Sequence, residues 1–429
     1  TTPYDGPQVN GNDGAAAIAV DSSGNCYVTG WSPSNTGNGI DIVTVKYNSL
    51  GVQQWASRYN NIGGNDQGSD IAVDSSDNVY VTGFADNGAA SLDIVTIKYN
   101  SAGVQQWAML YDGGLANLDA GLAIGVTGGS IYVGGYCTAV AIQGKDYVIL
   151  KYNSAGTMQA GWPVKYNGTG SGDDIIRDLR VDSSGNVYVT GDSRGLSNKD
   201  CVTIKYNSTG VQQWLDRYDN GMDDAGQAIV LDASGNVYAA GYSQDNPATK
   251  TEFLTREINN AGVVQWTQRY DGTVPAGSSV LVDVDVDNQI PANVYIVGNS
   301  NAGGSWDYTT IMYDSAGNQK WAITYDPTGQ SDEPRGIAVY DINDIYVTGY
   351  TWGDFGTVKY SQRTQSGLGS GHLKWSQPPI EINPLAPTKT FCGWDEKSSN
   401  WLDIQNPPGL KVVADDFRCL GSMPVTSIH

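Results

Sequence analysis

Histidine is nearly absent from this chain, which has two in 429 residues, His372 and His429. A Ser-His-Asp triad or a histidine-rich zinc site therefore has almost nothing from which to be built. Glutamate is also rare, because only five of the 45 acidic residues are glutamate and the remaining 40 are aspartate. Since aspartate is a turn and cap residue, much of this acidity indicates turns rather than a catalytic centre.

Long apolar runs and excess positive charge are missing as well. No run of apolar residues approaches the length of a membrane span, which argues against membrane insertion. The formal net charge is −21, which argues against nucleic acid and anionic membranes as partners. This acidity is typical of an extracellular, calcium-containing environment, so we expect a secreted or cell-surface protein.

Cysteine is too scarce for a disulfide scaffold, since the chain has five. Cys26 stands where other copies of a repeated phrase have valine, and Cys201 where others have isoleucine, so both are predicted to be buried and free. Cys137 is also predicted to be free. Cys392 and Cys419 flank the C-terminal tail and are predicted to form a disulfide with each other.

The chain does contain a regular repeat. The tryptophan of a Q-Q-W phrase, or of a degraded form of it, recurs every 52 to 55 residues. Its positions are Trp55, Trp107, Trp162, Trp214, Trp266, Trp321 and Trp375. The tyrosine of an N-V-Y-V-T-G phrase recurs in phase, at Tyr27, Tyr80, Tyr132, Tyr188, Tyr238, Tyr295 and Tyr346. Two markers that each occur seven times indicate seven copies of one structural unit.

Each copy predicts four strands. In the second copy, residues 70–75 and 79–84 form a hairpin, and residues 93–99 and 104–111 form two further strands. Four antiparallel strands in about fifty residues are typical of a β-propeller blade. We therefore predict an all-β fold in which residues 1–378 form a seven-bladed β-propeller and 379–429 form a C-terminal extension. A parallel β-solenoid is the alternative that this pattern disfavours.

The phrases I-A-V-D-S-S-G-N-C-Y-V-T-G (18–30) and D-I-V-T-I-K-Y-N-S-A-G-V-Q-Q-W (93–107) resemble the bacterial seven-bladed β-propeller repeat family. The resemblance implies a secreted or surface location but no single activity and no fixed functional residues. The tail phrases G-W-D-E-K-S (393–398) and V-A-D-D-F-R-C (413–419) resemble the start of an accessory domain of secreted planctomycete-like proteins. We expect this module to continue beyond His429.

The two chain ends also give an expectation about ring closure. Thr1–Gly6 matches the end of a fourth strand, as in Tyr270-Asp271-Gly272. Either the mature protein begins there or an upstream piece is missing from the sequence. We expect the Tyr4 segment to meet the Trp375 strand in the last blade, because this hides an open sheet edge.

Repeated acids are interpreted as structural, whereas departures from the repeat are candidate sites. Asp283, Asp285 and Asp287 form one departure, in which acids alternate with valines. They resemble the opening of a calcium loop, but Asn288 replaces the required glycine and Val294 the bidentate glutamate, so an EF-hand is excluded. A calcium site at these three residues and a solvated acidic strand edge are the two alternatives.

Aromatic residues give the second candidate site. Trp31, Trp306 and Trp352 lie outside the repeated positions and fall in or beside second-to-third-strand loops, with Tyr350 and Phe84 at the same rim. Flat aromatic groups beside polar side chains suit sugar rings, so a glycan platform is one hypothesis. The alternative is that each tryptophan holds its own loop against its blade.

The sequence therefore predicts an extracellular, non-catalytic binding or structural module that assembles with a protein partner or with itself. The alternative is a carbohydrate-active protein, namely a polysaccharide lyase, a glycoside hydrolase or a glycan-binding protein. No catalytic residue is nominated, and calcium is the one cofactor that the acidity suggests.

Overall fold

A computed structural model describes residues 4, 6, 12–34, 39–88, 91–114, 118–140, 144–245, 250–272, 278–301, 304–327, 329–342, 344–351 and 354–360. Their regular structure is 27 β-strands in seven antiparallel sheets. The fold is therefore the predicted all-β, seven-bladed propeller. Among the described residues, no helix is long and apolar enough to cross a membrane.

The strands follow one another blade by blade, and we call the first to fourth strands of each blade A to D. Blades 1 and 2 contain β1 (Gly14–Val20), β2 (Cys26–Pro33), β3 (Ile40–Tyr47), β4 (Gln53–Tyr59), β5 (Gln67–Val73), β6 (Val79–Asp86), β7 (Leu92–Tyr99) and β8 (Gln105–Tyr111). Blades 3 and 4 contain β9 (Ala120–Thr127), β10 (Ser130–Val140), β11 (Gly144–Asn153), β12 (Val164–Tyr166), β13 (Ile175–Val181), β14 (Val187–Arg194), β15 (Lys199–Tyr206) and β16 (Gln212–Tyr218).

The remaining blades repeat the pattern. Blades 5 and 6 contain β17 (Asp224–Leu231), β18 (Val237–Asp245), β19 (Lys250–Ile258), β20 (Val264–Tyr270), β21 (Ser279–Val286), β22 (Val294–Asn301), β23 (Trp306–Tyr313) and β24 (Gln319–Tyr325). Blade 7 contains β25 (Asp332–Asp341), β26 (Asp344–Thr351) and β27 (Asp354–Tyr360). Neighbours in each sheet are neighbours in sequence, as tight hairpins require.

The chain divides into two compact units, with the boundary between Ile229 and Val230 inside β17. In the first unit, strands A of blades 1 to 4 pack side by side in chain order. In the second unit, strand A of blade 6 packs beside strand A of blade 7. Residues 361–429 lie outside the description, and so do the predicted boundary at 378 and the Trp375 strand.

In four of the described blades the repeated tryptophan contacts a tyrosine of the next blade. Trp107 lies between Tyr80 of its own blade and Tyr152 of blade 3, with ring centroids 6.2 and 6.3 Å away. Its indole NH donates to the Ser154 carbonyl, in the C–D turn of blade 3, at 3.1 Å. Trp55 and Trp266 make the same donation, to Ser101 and Ser315. The Q-Q-W phrase is therefore an interblade clasp, which explains its recurrence.

The N-terminal residues occupy a repeated position too. Gly6 N donates to Asp13 at 3.0 Å, as Gly113 N does to Asp119 at 2.6 Å. Arg58 donates to the Tyr4 hydroxyl at 3.1 Å. In blade 4, Arg217 donates in the same way to Tyr166, at the end of strand D of blade 3. Tyr4 therefore stands against blade 1 as the last residue of a preceding strand D would.

The cysteine predictions have a mixed outcome. Cys137 and Cys201 are buried and free, as predicted. The prediction that Cys26 is free is wrong, because this fully buried residue is disulfide-bonded, and its partner lies outside the described residues. The predicted Cys392–Cys419 pair also lies outside them. A bond from Cys26 to either tail cysteine would exclude that pair.

Candidate functional site

In five blades an aspartate of the A–B turn is a structural acceptor. Asp74 accepts the main-chain NH of Ser76 and of Asn78, both at 2.9 Å, and the Tyr80 hydroxyl at 3.0 Å. The Asn78 amide NH2 also donates to it, at 2.9 Å. These hydrogen bonds to the carboxylate outweigh its partial burial and lower the pKa of Asp74. The turns of blades 1, 4 and 5 repeat this arrangement at Asp21, Asp182 and Asp232.

Asp287, one of the three predicted metal ligands, has this same turn role in blade 6. It accepts Asn293 N at 2.9 Å, the Asn293 amide NH2 at 2.6 Å and the Tyr295 hydroxyl at 3.3 Å. Gln289 N donates to it at 3.1 Å. The D-x-D-x-D pattern therefore joins a turn aspartate to two strand aspartates with a different role.

The two strand aspartates hold blade 7 against blade 6. Asp283 accepts Val284 N at 2.9 Å with one oxygen and Ile337 N, in blade 7, at 3.0 Å with the other. Asp285 accepts Val286 N at 2.9 Å and Val339 N at 2.7 Å. Each carboxylate thus bridges the A strands of two blades. The calcium site predicted there stays a prediction.

The same bridge occurs in blades 2 and 4. Asp70 accepts Ile71 N and Ile124 N, both at 2.8 Å, and Asp178 accepts Leu179 N and Ile229 N. Burial raises the pKa of Asp70 to about 7, and it raises the pKa of Asp178 despite the nearby Arg180. The equivalent residues in blades 1, 3, 5 and 7 are Ala17, Ala123, Ala228 and Gly336. Sequence reasoning missed this alternation, although the aligned repeats display it.

The crossover aspartates close loops. Asp66 accepts Asn61 N at 2.8 Å and Asp86 N at 2.9 Å, which ties the crossover to the end of strand B. Asp119 and Asp174 each accept two main-chain NH groups in the same way. Their two oxygens are therefore already hydrogen bonded, which supports the structural interpretation of the repeated acids.

In two crossovers the buried aspartate is the second of two consecutive ones, since Asp174 and Asp224 are fully buried. Asp173 accepts the main-chain NH of Lys145, and Asp223 accepts that of Lys199. Both crossovers contain an Asp-Asp pair, and only the tertiary structure shows which member is buried.

Blades differ in how the acid at the start of strand C is neutralised. In blade 1 Arg58, three residues after the tryptophan, donates to Asp41 at 2.9 Å, and in blade 4 Arg217 pairs with Asp200. In blade 2 that position holds Leu110. There Asp93, Asp112 and Asp119 place carboxylate oxygens within 4.8 Å of one another.

Blade 6 has the same feature. Thr324 stands at the position of the arginine, and the oxygens of Asp307, Asp326 and Asp332 lie within 4.8 Å of one another. Three oxygen ligands at this spacing suit a hard divalent cation such as Ca²⁺. These two groups are the described carboxylates best placed to hold a metal, and neither contains a residue nominated from the sequence.

The candidate aromatic residues are only partly placed. Trp31 is half-buried in β2, and its ring lies over Gly14 of β1 in the same blade. Phe84 occupies the equivalent position in β6, and Tyr350, which is 47 % exposed, occupies it in β26. Trp306 is the half-buried first residue of β23. Trp352 lies outside the described residues, and the shared platform stays a prediction.

Blade 4 departs most from the repeat at this position. Strand B carries Asp192 where blades 1, 2 and 3 carry Trp31, Phe84 and Tyr136. Arg177 Nε lies 2.7 Å from one oxygen of Asp192, and Lys199 Nζ lies 3.2 Å from the other. The Asp192 side chain is 2 % exposed, whereas each cation is 35 % exposed. The buried Asp192 carboxylate thus holds two partly exposed cations, Arg177 and Lys199, at the surface.

Comparisons with known proteins address the fold. Residues 54–87 and 164–196 match the family model described as "Beta-propeller repeat". Residues 373–429 match the one described as "Domain of unknown function (DUF7901)", which is consistent with an accessory domain in the tail. No curated protein matches the sequence.

Similar solved structures share very little sequence with this chain. Sqt1 from Chaetomium thermophilum is 8% identical, with 83% of this chain and 84% of that chain covered and a TM-score of 0.51. An ulvan lyase of polysaccharide lyase family PL25 is 14% identical, with coverages of 82% and 94% and a TM-score of 0.47. A protein of unknown function from Bacteroides caccae is 12% identical, with coverages of 62% and 86% and a TM-score of 0.38.

At these identities the likeness concerns the fold alone, so no neighbour's activity transfers to this chain. The two matched repeat segments and the seven described blades agree with the family resemblance seen in the sequence. The two matched segments and the described blades therefore support a family of β-propeller repeat proteins of this type.

Proposed function

We propose that this protein is an extracellular, non-catalytic binding module that uses the blade ends bearing the B–C loops and crossovers. In this role it assembles with a surface or matrix partner, or with further copies of itself. The observation that carries the proposal is that the repeated carboxylates at these ends already accept main-chain hydrogen bonds. Asp66, Asp119 and Asp174 each accept two such bonds.

Carboxylate catalysis needs a different environment. A general base or nucleophile requires an oxygen within reach of the substrate and a pKa suited to proton transfer. A carboxylate whose two oxygens each accept a main-chain NH is held in place and cannot move toward a substrate to transfer a proton. The neighbouring positions vary from blade to blade, from Trp31 to Asp192, as expected of a surface that recognises a partner.

The extracellular location rests on composition. A net charge of −21 with 40 aspartates keeps a protein soluble, and it makes calcium, which is abundant outside cells, a natural counter-ion. The carboxylate groups of blades 2 and 6 are where we propose that such an ion binds. Calcium there has a structural role in the proposal.

Two measurements on the full chain test the proposed function. The first incubates the protein with acidic and neutral polysaccharides and follows new reducing ends and the ultraviolet absorbance of unsaturated sugar ends. The second measures co-sedimentation with the same polysaccharides and self-association by sedimentation equilibrium. We expect retention or self-association without product. Product formation would identify a carbohydrate-active enzyme. If the protein shows neither product formation nor association, the binding role is overturned.

A further inference from the structure

Blade 4 differs from blades 1 and 2 at three positions that contact one another, namely Arg177, Asp192 and Lys199. Arg177 is the bulged residue of β13, since the pairing with β14 shifts between Ile176 and Asp178. The bulged residues of blades 1, 2 and 3 are Ala16, Ser69 and Leu122. A bulge re-aims its side chain, and here it aims a guanidinium at Asp192. Lys199 lies at the start of strand C. Arg177, Asp192 and Lys199 thus form a charged row across strands A, B and C of blade 4.

The Arg177 guanidinium keeps hydrogen-bonding capacity. To the described residues it donates only through Nε, at 2.7 Å to Asp192. Its two terminal nitrogens form the planar fork that pairs with a carboxylate or a sulfate. Because Asp192 fixes Nε, the fork is held in place before any ligand arrives.

Blade 3 carries an aromatic residue and a cation at the equivalent end of its own sheet. Tyr136 is half-buried, and Lys145 Nζ lies 3.9 Å from its ring centroid. Tyr136 pairs with Tyr147 across the sheet. A Cβ on Gly191, next to Asp192, would lie 2.8 Å from the Tyr147 hydroxyl oxygen. The ends of blades 3 and 4 are thus in contact at this point.

The Tyr147 hydroxyl is a second unusual feature. It is buried, with no hydrogen-bond partner among the described residues. Tyr308 is the equivalent residue of blade 6, and its hydroxyl donates to the Tyr350 carbonyl at 3.2 Å. A buried hydroxyl without a partner is costly, and this one lies beside the charged row.

We infer that Arg177 and Lys199, held by Asp192, bind the acidic group of a saccharide such as a uronic acid, with Tyr136 and Lys145 of the adjoining blade 3 as the flanking surface. The carboxylate pairs with the Arg177 fork and Lys199, and the sugar ring lies against Tyr136. The group formed by Arg177, Lys199 and Asp192 carries one positive charge in excess, on a chain whose net charge is −21. It therefore offers an anion two cations that one acid neutralises only in part.

An acidic saccharide fits better than an acidic peptide. Strand β14 is hydrogen bonded to β13 on one side and to β15 on the other. Strand β14, which carries Asp192, therefore has no open edge for an extended peptide to pair with. A sugar acid needs only a charged fork and a flat ring beside it.

Isothermal titration of the full chain with a galacturonate oligomer tests the site. We expect binding that weakens with added salt, little binding of a neutral galactose oligomer of equal length, and at least about tenfold weaker binding in Arg177→Ala. Arg335→Ala is the matched control, because Arg335 is the bulged arginine of blade 7 and pairs with Glu333. A sulfated galactose oligomer distinguishes a general oxyanion site from a carboxylate site.

Asp192→Asn gives a test of opposite sign. It removes the charge that Arg177 and Lys199 now neutralise, so galacturonate should bind several times more tightly, with the thermal midpoint measured in parallel. A purely structural ion cluster would lose stability without gaining affinity, which would overturn the proposal. Equal loss of galacturonate and poly-glutamate binding in Arg177→Ala would reassign the site to acidic peptides.

This inference rests on the proposed function in one respect, which is that the bound saccharide is not cleaved. Chromatography of the oligomer after each titration separates the two failures. If the oligomer stays intact and does not bind, the binding site is refuted and the non-catalytic role is unaffected. Cleaved oligomer with Arg177-dependent binding refutes the non-catalytic role and keeps the site.

Discussion

The contacts at the C–D turns repeat from blade to blade, whereas the residues at the ends of the inner strands vary. Trp55 and Trp107 donate to a serine carbonyl of the next blade at the same 3.1 Å. The strand B residue four positions after the repeated tyrosine, in contrast, changes from Trp31 to Phe84, Tyr136 and Asp192 over four consecutive blades. Repeated positions hold the blades together, and varied positions form the surface on which we propose binding.

The largest effect is expected when the clasp is broken. Trp107→Ala removes a ring packed between Tyr80 and Tyr152 and the hydrogen bond to Ser154. The free energy of unfolding should therefore fall by about 3 kcal/mol. Chemical denaturation with fluorescence detection measures this. Gln106→Ala, at an exposed neighbouring position, should change stability by less than about 0.5 kcal/mol. Equal losses in the two variants would contradict the clasp.

A turn aspartate should come second. Asp74→Ala removes the acceptor of four hydrogen bonds and should cost about 2 kcal/mol. Because the pKa of Asp74 is lowered in the folded protein, its ionised form stabilises the fold above its unfolded pKa of about 4. The cost should therefore be the same at pH 5 and pH 8 and diminish only in stronger acid. Urea unfolding at several pH values measures it.

The comparison between blades 2 and 4 can be inverted by one substitution. If calcium binds at Asp93, Asp112 and Asp119, it should stabilise the protein by up to about 2.7 kcal/mol at a hundredfold excess over its dissociation constant. Leu110→Arg gives blade 2 the ion pair of blade 4, so its response to calcium should be smaller. Leu110→Met is the control. Thermal melts with calcium and with a chelator measure this response. If calcium stabilises Leu110→Arg as much as the unchanged protein, blade 2 is excluded as the calcium site.

The smallest effect concerns the bridging aspartates, and its sign is opposite to that of Asp74. Burial raises the pKa of Asp70 to about 7, above its unfolded value, so the folded protein holds an extra proton between about pH 4 and pH 7. Stability from this group is therefore present at low pH and declines as the pH rises through that window. The cost of Asp70→Ala should be larger at pH 5 than at pH 8, as urea unfolding would show. A constant cost would refute the raised pKa.

Much of the fold could be predicted because its markers repeat. Trp107 and Tyr80 recur at a fixed distance in sequence, and a clasp that joins neighbouring blades must recur with the blades. The turn aspartates could be predicted in the same way, since their partners lie within eight residues. The site was harder, because Arg177 and Lys199 belong to different strands and meet only at Asp192.

The sequence by itself determined the blade count, the strands and the structural role of the repeated acids, because these depend on periodic contacts between near neighbours. Only the tertiary structure decided which acids bridge blades, as Asp70 reaches Ile124 across 54 residues, and which member of an Asp-Asp pair is buried. It also decided that Cys26 is bonded. The physical reason is that these features depend on which blade faces which, and hydrogen bonds between blades join residues that no local pattern connects.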